Sequence, residues 1–429
     1  MIAVPTSVQG TEHLLSFTLL QIGIIIAAAR LAGYIARQWG QPRAVGEIVA
    51  GLLLGPSLCG ALAPESFRWV FRSVDATPLT IMSQIGLILL MFQVGLAFDF
   101  SQLRARQNRQ AVLLITLASI ALPFGLGFGF GELTAKTLAG GINPLAYALF
   151  LGIALAITAV PILGRIMMEF GLTRSRIGVI TIAAAAANDA IGWVLLALVS
   201  AVATQQLSWQ VIAGTLGCLL AYLALSWLLV RPLLLRLLRR WHREDEALPQ
   251  DLLAIVLIAI FGSALLTSQL GIFAIFGGFV AGMLLHDQTA FVEAWQRKMS
   301  ALVNVFFLPI FFTYTGLRTD VGGLGSTTLW GWCGLLIVLA VLGKLVGCYL
   351  ASRLAGLSRA EATNIALMMN TRALMELIVV NLGYDLGIIP REVFTMLVLM
   401  AVASTLLTAP GLRLGLPRMG HRIPSGADG

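Results

Sequence analysis

The chain has 429 residues, of which 58% are hydrophobic and only 11% are charged, and its mean hydropathy is +0.91. Soluble domains carry about 25% charged residues, so this composition excludes an array of soluble domains and is typical of a protein that crosses a membrane many times. The formal net charge of +8 could indicate a nucleic-acid partner, so the positions of the basic residues must be considered before it is interpreted.

Apolar windows of about 17–25 residues predict an all-α polytopic membrane protein with about 13 transmembrane segments. The short second and ninth segments could be broken or re-entrant. The opening MIAVPTSVQGTEH has no basic region before its apolar run, so no cleaved signal peptide is predicted. In chain order the segments are centred near Ile25, Leu53, Ile88, Ala118, Ala156, Asp189, Leu220, Ile260, Gly278, Pro309, Val338, Met369 and Val402.

The basic residues are distributed unequally between the two sides of these segments. Of the 28 lysines and arginines, 20 lie in odd-numbered loops or in the C-terminal tail, five lie on the other side, and three lie inside segments. Because basic loops remain cytoplasmic, this bias predicts an inner (plasma) membrane protein with its N-terminus outside and its C-terminus in the cytoplasm. The positive charge is therefore a topology signal, and no nucleic-acid partner is predicted.

Two internal matches indicate a repeat. GEIVAGLLL at 46–54 and GGFVAGMLL at 277–285 are identical at six of nine positions, and VGLAFD at 94–99 shares G-L-x-x-D with TGLRTD at 315–320. Both matches relate a segment to the one seven later, which crosses the membrane in the opposite direction. This pattern predicts the inverted-topology repeat of secondary transporters, with residues 1–240 forming the first repeat and a linker helix and residues 241–429 the second repeat and a short tail.

The fifth and twelfth segments, which the repeat pairs, contain residues that interrupt helices. Pro161 removes a backbone donor within segment five, and the cluster Asn370, Thr371, Arg372 and Glu376 lies within segment twelve. Paired interruptions of this kind point to the binding site of a transporter. Asp189 lies near the middle of segment six, where a carboxylate is costly and therefore indicates function. The corresponding region of segment thirteen contains no acid.

The sequences AITAVPILGRIMMEFGL, AAAAANDAIGW, LPIFFTYTGLRTDV, LGKLVGCYLASRL and NTRALMELIVVNLGYDLGII resemble the second monovalent cation:proton antiporter family. This family includes bacterial Kef-type and NapA-type proteins and plant cation/proton exchangers. The resemblance implies an NhaA-like fold with crossed discontinuous helices, a homodimer and an elevator mechanism. It implies an ion-binding core from residues 110–203 and 326–417, with the remainder forming the scaffold and dimer domain.

The resemblance also implies site residues. Asp189 matches the family's ion-binding aspartate, Lys344 matches its core lysine, and Thr158 falls in the unwound stretch of segment five. Many electrogenic relatives carry two adjacent aspartates, whereas here the first is Asn188. Asn188 could hold a broken helix end or donate a ligand oxygen.

Three further charges lie within the predicted core. Arg372 and Glu376 are four residues apart and could neutralise each other on one helical face. Lys344 has no acid within a helical turn, so it is either paired across the core, for example with Glu376, or deprotonated part of the time.

The predicted function is exchange of Na⁺ or K⁺ for protons by alternating access, with Asp189 as the shared site and with an electroneutral cycle. The alternative is an organic-solute or anion transporter on the same scaffold. An intramembrane aspartyl protease needs two catalytic carboxylates, so no enzyme activity is predicted, and no cofactor is predicted either.

Overall fold

The computed structural model describes residues 6–71, 75–96, 106–158, 160–172, 175–203, 209–241, 248–270, 274–372 and 374–421. Every regular element within these ranges is a helix, as the composition predicted. Nine helical stretches among them are long and apolar enough to cross a membrane, and two shorter apolar helices, Pro144–Ala156 and Ala274–Met283, accompany them. The polytopic helical architecture is thus confirmed, whereas the total of about 13 segments stays a prediction.

The α-helices are numbered in chain order. They are α1 Thr6–Gln38, α2 Arg43–Leu54, α3 Cys59–Leu62, α4 Pro64–Phe71, α5 Thr77–Leu96, α6 Arg106–Leu138, α7 Pro144–Ala156, α8 Val160–Glu169, α9 Arg176–Ala203, α10 Trp209–Leu225, α11 Arg231–Trp241, α12 Gln250–Gln269, α13 Ala274–Met283, α14 Thr289–Leu302, α15 Leu308–Arg318, α16 Thr327–Leu354, α17 Arg359–Met369, α18 Leu374–Asp385 and α19 Arg391–Gly415. Short π-helical turns at Ser226–Val230 and Val303–Phe307 join α10 to α11 and α14 to α15. A 3₁₀ turn, Leu416–Met419, follows α19.

The helices form two compact units, each assembled from separate stretches of the chain. The first unit comprises Met1–Trp39, Gly46–Ala97 and Gly217–Gly322, and the second comprises Gly40–Val45, Phe98–Leu216 and Gly323–Gly429. The second unit includes the two ranges, 110–203 and 326–417, that the sequence assigned to the ion-binding core. The functional division into a moving core and a fixed scaffold stays a prediction.

Close glycine contacts hold the first unit together. A Cβ on Gly51 of α2 would overlap the backbone oxygen of Phe312 in α15, and a Cβ on Gly282 of α13 would overlap that of Phe92 in α5. Only glycine permits helix backbones to approach this closely, which is a common way of packing helices in membranes.

The two sequence matches make corresponding contacts. Gly46 of α2 lies against Ala32 of α1, and the matched Gly277 of α13 lies against Ser263 of α12. Gly95 of α5 lies against α13, and the matched residue of α15, Gly316, lies against α2. An inverted repeat requires such paired contacts, so they support the repeat without establishing it over the whole chain.

Replacing Gly51 by alanine is expected to destabilise the protein by about 1–3 kcal/mol, because the added methyl group has only backbone to displace. Gly129→Ala in α6 is the matched control, since nothing lies within 4 Å of the position its Cβ would take, and its effect should stay within about 1 kcal/mol. Thermal unfolding of the purified protein in detergent measures both. Equal melting temperatures for the two variants would show that the α2–α15 contact tolerates a side chain.

The second unit contains the two interrupted helices. The last helical residue of α7 is Ala156, Ile157 is extended (φ −70°, ψ 150°), and α8 begins at Val160. Pro161 therefore lies in the first turn of α8, after the interruption, where its missing N–H has no helical partner to lose. Sequence placed the interruption in the right segment, but Pro161 marks the start of the second half-helix, not the break itself.

The second interruption separates α17 from α18. A capping box starts α17, in which the Ser358 hydroxyl accepts from Glu361 N and the Glu361 carboxylate accepts from Ser358 N. The helix ends at Met369, and α18 begins at Leu374. Both segments that the sequence predicted to be interrupted are therefore interrupted.

Candidate functional site: the two helix interruptions

The two interruptions face each other within the second unit. Thr158 Oγ1, in the first interruption, lies 3.4 Å from Met369 O at the end of α17. Arg372, in the second interruption, donates from Nη1 to Ala154 O at 3.1 Å and from Nη2 to Leu155 O at 2.7 Å, both at the end of α7. Each unwound stretch therefore satisfies carbonyl groups that the other half-helix leaves without helical partners.

Lys344 of α16 binds the first interruption from another side. Its Nζ donates to Ser119 O at 2.9 Å, to Thr158 Oγ1 at 2.7 Å and to Ala156 O. The side chain is fully buried. An ammonium group has three donors, and here each of them has an acceptor.

These contacts place two cationic groups at the C-terminal end of α7. Arg372 and Lys344 contact the carbonyls of its last three residues, Ala154, Leu155 and Ala156. The C-terminal end of a helix carries partial negative charge, so cations are stabilised there. This explains why buried basic groups are tolerated in a part of the chain this apolar.

Asn188 and Asp189 lie on α9, and both side chains are buried, at 1% and 3% exposure. Asn188 Nδ2 donates to Ser119 Oγ at 2.9 Å and to Ala156 O at 3.0 Å. Asn188 and Lys344 thus share Ser119 and Ala156 as partners, which brings the α9 amide to the first interruption. Among the residues that the structure describes, Asn188 Oδ1 has no hydrogen-bond partner.

Of the two roles the sequence left open for Asn188, the hydrogen bonds show one directly: its amide nitrogen holds the end of α7. The buried oxygen remains available as a ligand in this amide orientation, which the hydrogen-bond pattern selects. Asp189 follows directly in the helix, and its charge lies within electrostatic reach of the Lys344 ammonium.

Hydroxyl groups on α19 hold the second interruption. Asn370 Nδ2 donates to Ser404 O at 3.2 Å, Thr371 Oγ1 lies 3.4 Å from Thr408 Oγ1, and Arg372 N donates to Thr405 Oγ1 at 3.3 Å. The segment-thirteen region without an acid therefore presents hydroxyls and a carbonyl. Sequence reasoning missed Ser119, Ser404, Thr405 and Thr408. The α19 hydroxyls could have been identified from the sequence, because Ser404, Thr405 and Thr408 share one helical face.

Glu376 pairs with Arg372 and not with Lys344. Arg372 Nη1 lies 3.1 Å from Glu376 Oε2, and both side chains are completely buried. The four-residue spacing predicted this pair, whereas the cross-core pairing of Lys344 with Glu376 is not the arrangement observed. Because Arg372 also donates to Ala154, Leu155 and Ala340, the pair fixes the second interruption to the first.

Replacing Glu376 by glutamine is expected to cost about 3–5 kcal/mol of stability, because it leaves the buried Arg372 charge without its acid. The control is Glu361→Gln in the pair with Arg176, which spans 3.6 Å with the arginine side chain 53% exposed; surface pairs contribute about 0–1 kcal/mol. Glu361 also caps α17, so its replacement is expected to cost up to about 1 kcal/mol of additional stability through the lost cap. Melting temperatures in detergent give the comparison, and a Glu376 variant no less stable than the control would contradict the assigned pair.

Comparison with known proteins places this site in a family. The family model described as the transmembrane sodium/hydrogen exchanger matches residues 25–414. The Na⁺/H⁺ antiporter NhaS4 of Synechocystis is 37% identical over 394 residues, covering 91% of this chain and 95% of that protein. The K⁺/H⁺ antiporter 1 of Saccharomyces cerevisiae is 30% identical and covers 94% of this chain, which spans about half (47%) of that protein's length.

A solved structure shares the fold. The sodium proton antiporter MjNhaP1 of Methanocaldococcus jannaschii superposes with a TM-score of 0.64 at 17% sequence identity, covering 92% of this chain and 97% of that one. The family match spans both interruptions, α9 and the whole of α16. The chain therefore belongs to the transmembrane sodium/hydrogen exchanger family, whose members are transporters and not enzymes.

Proposed function

We propose that the chain exchanges a monovalent cation, Na⁺ or K⁺, for protons, with the Asp189 carboxylate as the site that both ions share. The observation that carries this proposal is the position of Asp189: it is buried on α9 next to Asn188, whose amide binds the interrupted end of α7. A carboxylate at such a depth is costly, and binding either a proton or a cation removes that cost. Competition for one carboxylate then couples the two fluxes.

The surrounding atoms suit a hard cation. We assign the ligand oxygens to the Asp189 carboxylate, to Asn188 Oδ1 and to Thr158 Oγ1, which already accepts from Lys344. Alkali and alkaline-earth cations prefer such oxygen sets. The relatives include one named for Na⁺ and one named for K⁺, so the test uses salts of both ions.

The alternative, transport of an organic anion, would use Arg372 as the anion-binding group. Both terminal nitrogens of this guanidinium are occupied, by Glu376 and by backbone carbonyls of α7 and α16. Within the described part of the chain Arg372 Nε alone of its nitrogens lacks a hydrogen-bond partner, so an anion held by the two terminal nitrogens would have to displace those contacts, which favours the cation proposal.

The test is reconstitution of the purified chain in liposomes with an internal pH indicator and an imposed pH gradient. Addition of NaCl or KCl should dissipate the gradient, whereas choline chloride should not. Sodium salts of small carboxylic acids, after subtraction of their effect on protein-free liposomes, should act no faster than NaCl. A gradient that responds to the organic acid and to neither chloride salt would replace this proposal by the alternative.

The finer features remain proposals that follow from the family resemblance. We propose that the second unit is the ion-binding domain and moves, that the first unit is the scaffold and forms a homodimer, and that the N-terminus lies outside the inner membrane. Single cysteines introduced at Thr6, where α1 begins, and after Gly415 test the orientation: a membrane-impermeant thiol reagent added to intact cells should label the first and not the second.

Competition between protons and cations predicts a pH dependence. The apparent cation affinity should strengthen as pH rises, because deprotonation frees the shared carboxylate. Where the protonated form of the site dominates, the affinity should weaken about tenfold for each unit by which the pH falls. Half-saturating cation concentrations measured between about pH 6 and 8 check this. A constant value across that range would argue against simple competition.

A further inference from the structure

One face of the α10–α11 stretch in the first unit borders two cavities in succession. Residues about four apart lie on the same helical face. The first cavity, of about 200 Å³, is lined from this side by Tyr222, Ser226, Val230 and Leu234. The second, of about 190 Å³, is lined by Leu238 and Arg239. Leu234 and Leu238 are one turn apart, and Arg231 contacts a lining residue of each cavity, Leu284 of the first and Asp287 of the second. We call the two adjacent cavities together the α11 groove.

The first part of the α11 groove is apolar and opens towards the membrane. Its opposite wall includes Ala259, Gly262 and Leu266 of α12, and nothing lies within 4 Å of the position that a Cβ on Gly262 would take. The neighbouring Ile258 and Leu265 are 71% and 61% exposed. In a bilayer, apolar side chains this exposed contact lipid chains, so the groove is open to the hydrocarbon.

The second part of the α11 groove is polar and basic. Besides Arg239 it is lined by Gln288 and Thr289, and Arg236 is exposed on the same helix as Arg239. Exposed arginines at the end of a membrane helix attract anionic lipid headgroups, each contributing about 1 kcal/mol.

Asp287 also lines the basic part of the groove. Its charge does not cancel the attraction of Arg239 for an anionic headgroup, because Arg231 already neutralises Asp287. Arg231 Nη2 lies 2.5 Å from Asp287 Oδ2, and its guanidinium lies 4.3 Å from the centre of the Trp227 ring. Partial burial alone would raise the pKa of Asp287, but hydrogen bonding from Gln288 and the charge of Arg231 hold it below its usual value. Asp287 therefore stays ionised and paired, and within the part of the chain that the structure describes no acid is paired with Arg239.

The dimensions fit a lipid. The helical rise from Tyr222 to Arg239 is about 25 Å at 1.5 Å per residue, and one leaflet with its headgroups is about 20–22 Å thick. The Arg231 guanidinium, which lies over the Trp227 ring, contacts Leu284 of the apolar part and Asp287 of the basic part, and Arg and Trp are typical of the membrane interface. The change from apolar to basic thus falls where a phospholipid changes from chain to headgroup.

We propose that the α11 groove binds one anionic phospholipid, with an acyl chain between α10 and α12 and its phosphate at Arg239. A second copy of the protein is the competing occupant, but it would have to present an acidic group to Arg239 and an apolar ridge to Gly262 at the same time. A single anionic lipid supplies both. The inference concerns the first unit and does not depend on the ion that the second unit binds.

Native mass spectrometry of the full-length protein, titrated with phosphatidylglycerol or phosphatidylcholine, tests this inference. One phosphatidylglycerol should bind in preference to phosphatidylcholine. Arg239→Gln should weaken that binding about fivefold, and Gly262→Leu should also weaken it by filling the apolar part. Arg236→Gln is the matched control, since it removes the same charge from the same helix without lining either cavity, and it should change the affinity less than about twofold.

Two results would overturn the proposal. Equal losses in the Arg236 and Arg239 variants would mean diffuse attraction of anionic lipid to a basic helix, with no site. A Gly262→Leu protein that binds lipid normally but shifts between monomer and dimer would assign the groove to a second copy. The melting temperature in detergent shows for each variant whether the protein is folded.

Discussion

Asp189→Asn is expected to abolish cation/proton exchange while the protein still folds. The substitution keeps the size of a side chain that is 3% exposed and removes the only property that a shared site needs, a charge that a proton or a cation can neutralise. Since a buried carboxylate is costly in a membrane, the variant should be at least as stable as the original chain. In liposomes, its response to NaCl and KCl should fall to that of protein-free vesicles.

The control for this experiment is Asp251→Asn, the same chemical change at an exposed position in the first turn of α12. Its exchange rate should be unchanged, and its stability should change by at most about 1 kcal/mol through the helix dipole. If the Asp189 variant exchanged cations at the rate of the Asp251 variant, Asp189 would not be the shared site.

The helix interruptions were predictable because they depend on residue types that sequence displays. Pro161 cannot donate a hydrogen bond, and Asn370, Thr371 and Arg372 are improbable in the middle of a lipid-facing span. The position of the first break was displaced by a few residues, because proline is compatible with the first turn of a helix as well as with a break.

The partners of the buried charges were less predictable. Arg372 and Glu376 lie on one helix, so their spacing alone brought them together. Lys344 instead contacts backbone carbonyls of Ser119 and Ala156, and a carbonyl leaves no trace in residue identity. The backbone contacts that hold Lys344 therefore could not be predicted from the positions of acidic residues in the sequence.

The same limit applies to the glycine contacts and to the α11 groove. The match between GEIVAGLLL and GGFVAGMLL indicated a repeat, but the contact of Gly51 with α15 and of Gly282 with α5 depends on how helices cross. The groove depends on which faces of α10, α11 and α12 meet. Hydropathy alone cannot distinguish an apolar cavity from an apolar surface that simply faces lipid.

The contacts of Lys344 bear on the stoichiometry of exchange. With Asn188 in place of a second aspartate, a two-proton cycle would need Lys344 to release its proton when the cation binds. Its three donors are satisfied by three oxygen acceptors, so loss of the proton would leave one of those buried acceptors without its donor. We therefore expect Lys344 to act as a positioning residue for the first interruption and not as a proton carrier, and the exchange to be 1:1.

Exchange at one cation per proton should be indifferent to membrane voltage. One elementary charge moved across 100 mV is worth about 2.3 kcal/mol, so a cycle with two protons per cation would shift the equilibrium cation ratio about 50-fold at that potential. Na⁺-loaded liposomes in which valinomycin and a K⁺ gradient set a potential of about 100 mV should show no such shift relative to liposomes with balanced K⁺. Lys344→Gln should lower the melting temperature and the rate, because it removes a charge-assisted donor from the unwound stretch, yet leave this indifference intact. The control is Lys136→Gln at the exposed end of α6, which should change neither. Proton movement driven by voltage alone, and lost only in the Lys344 variant, would make Lys344 a proton carrier and the cycle electrogenic.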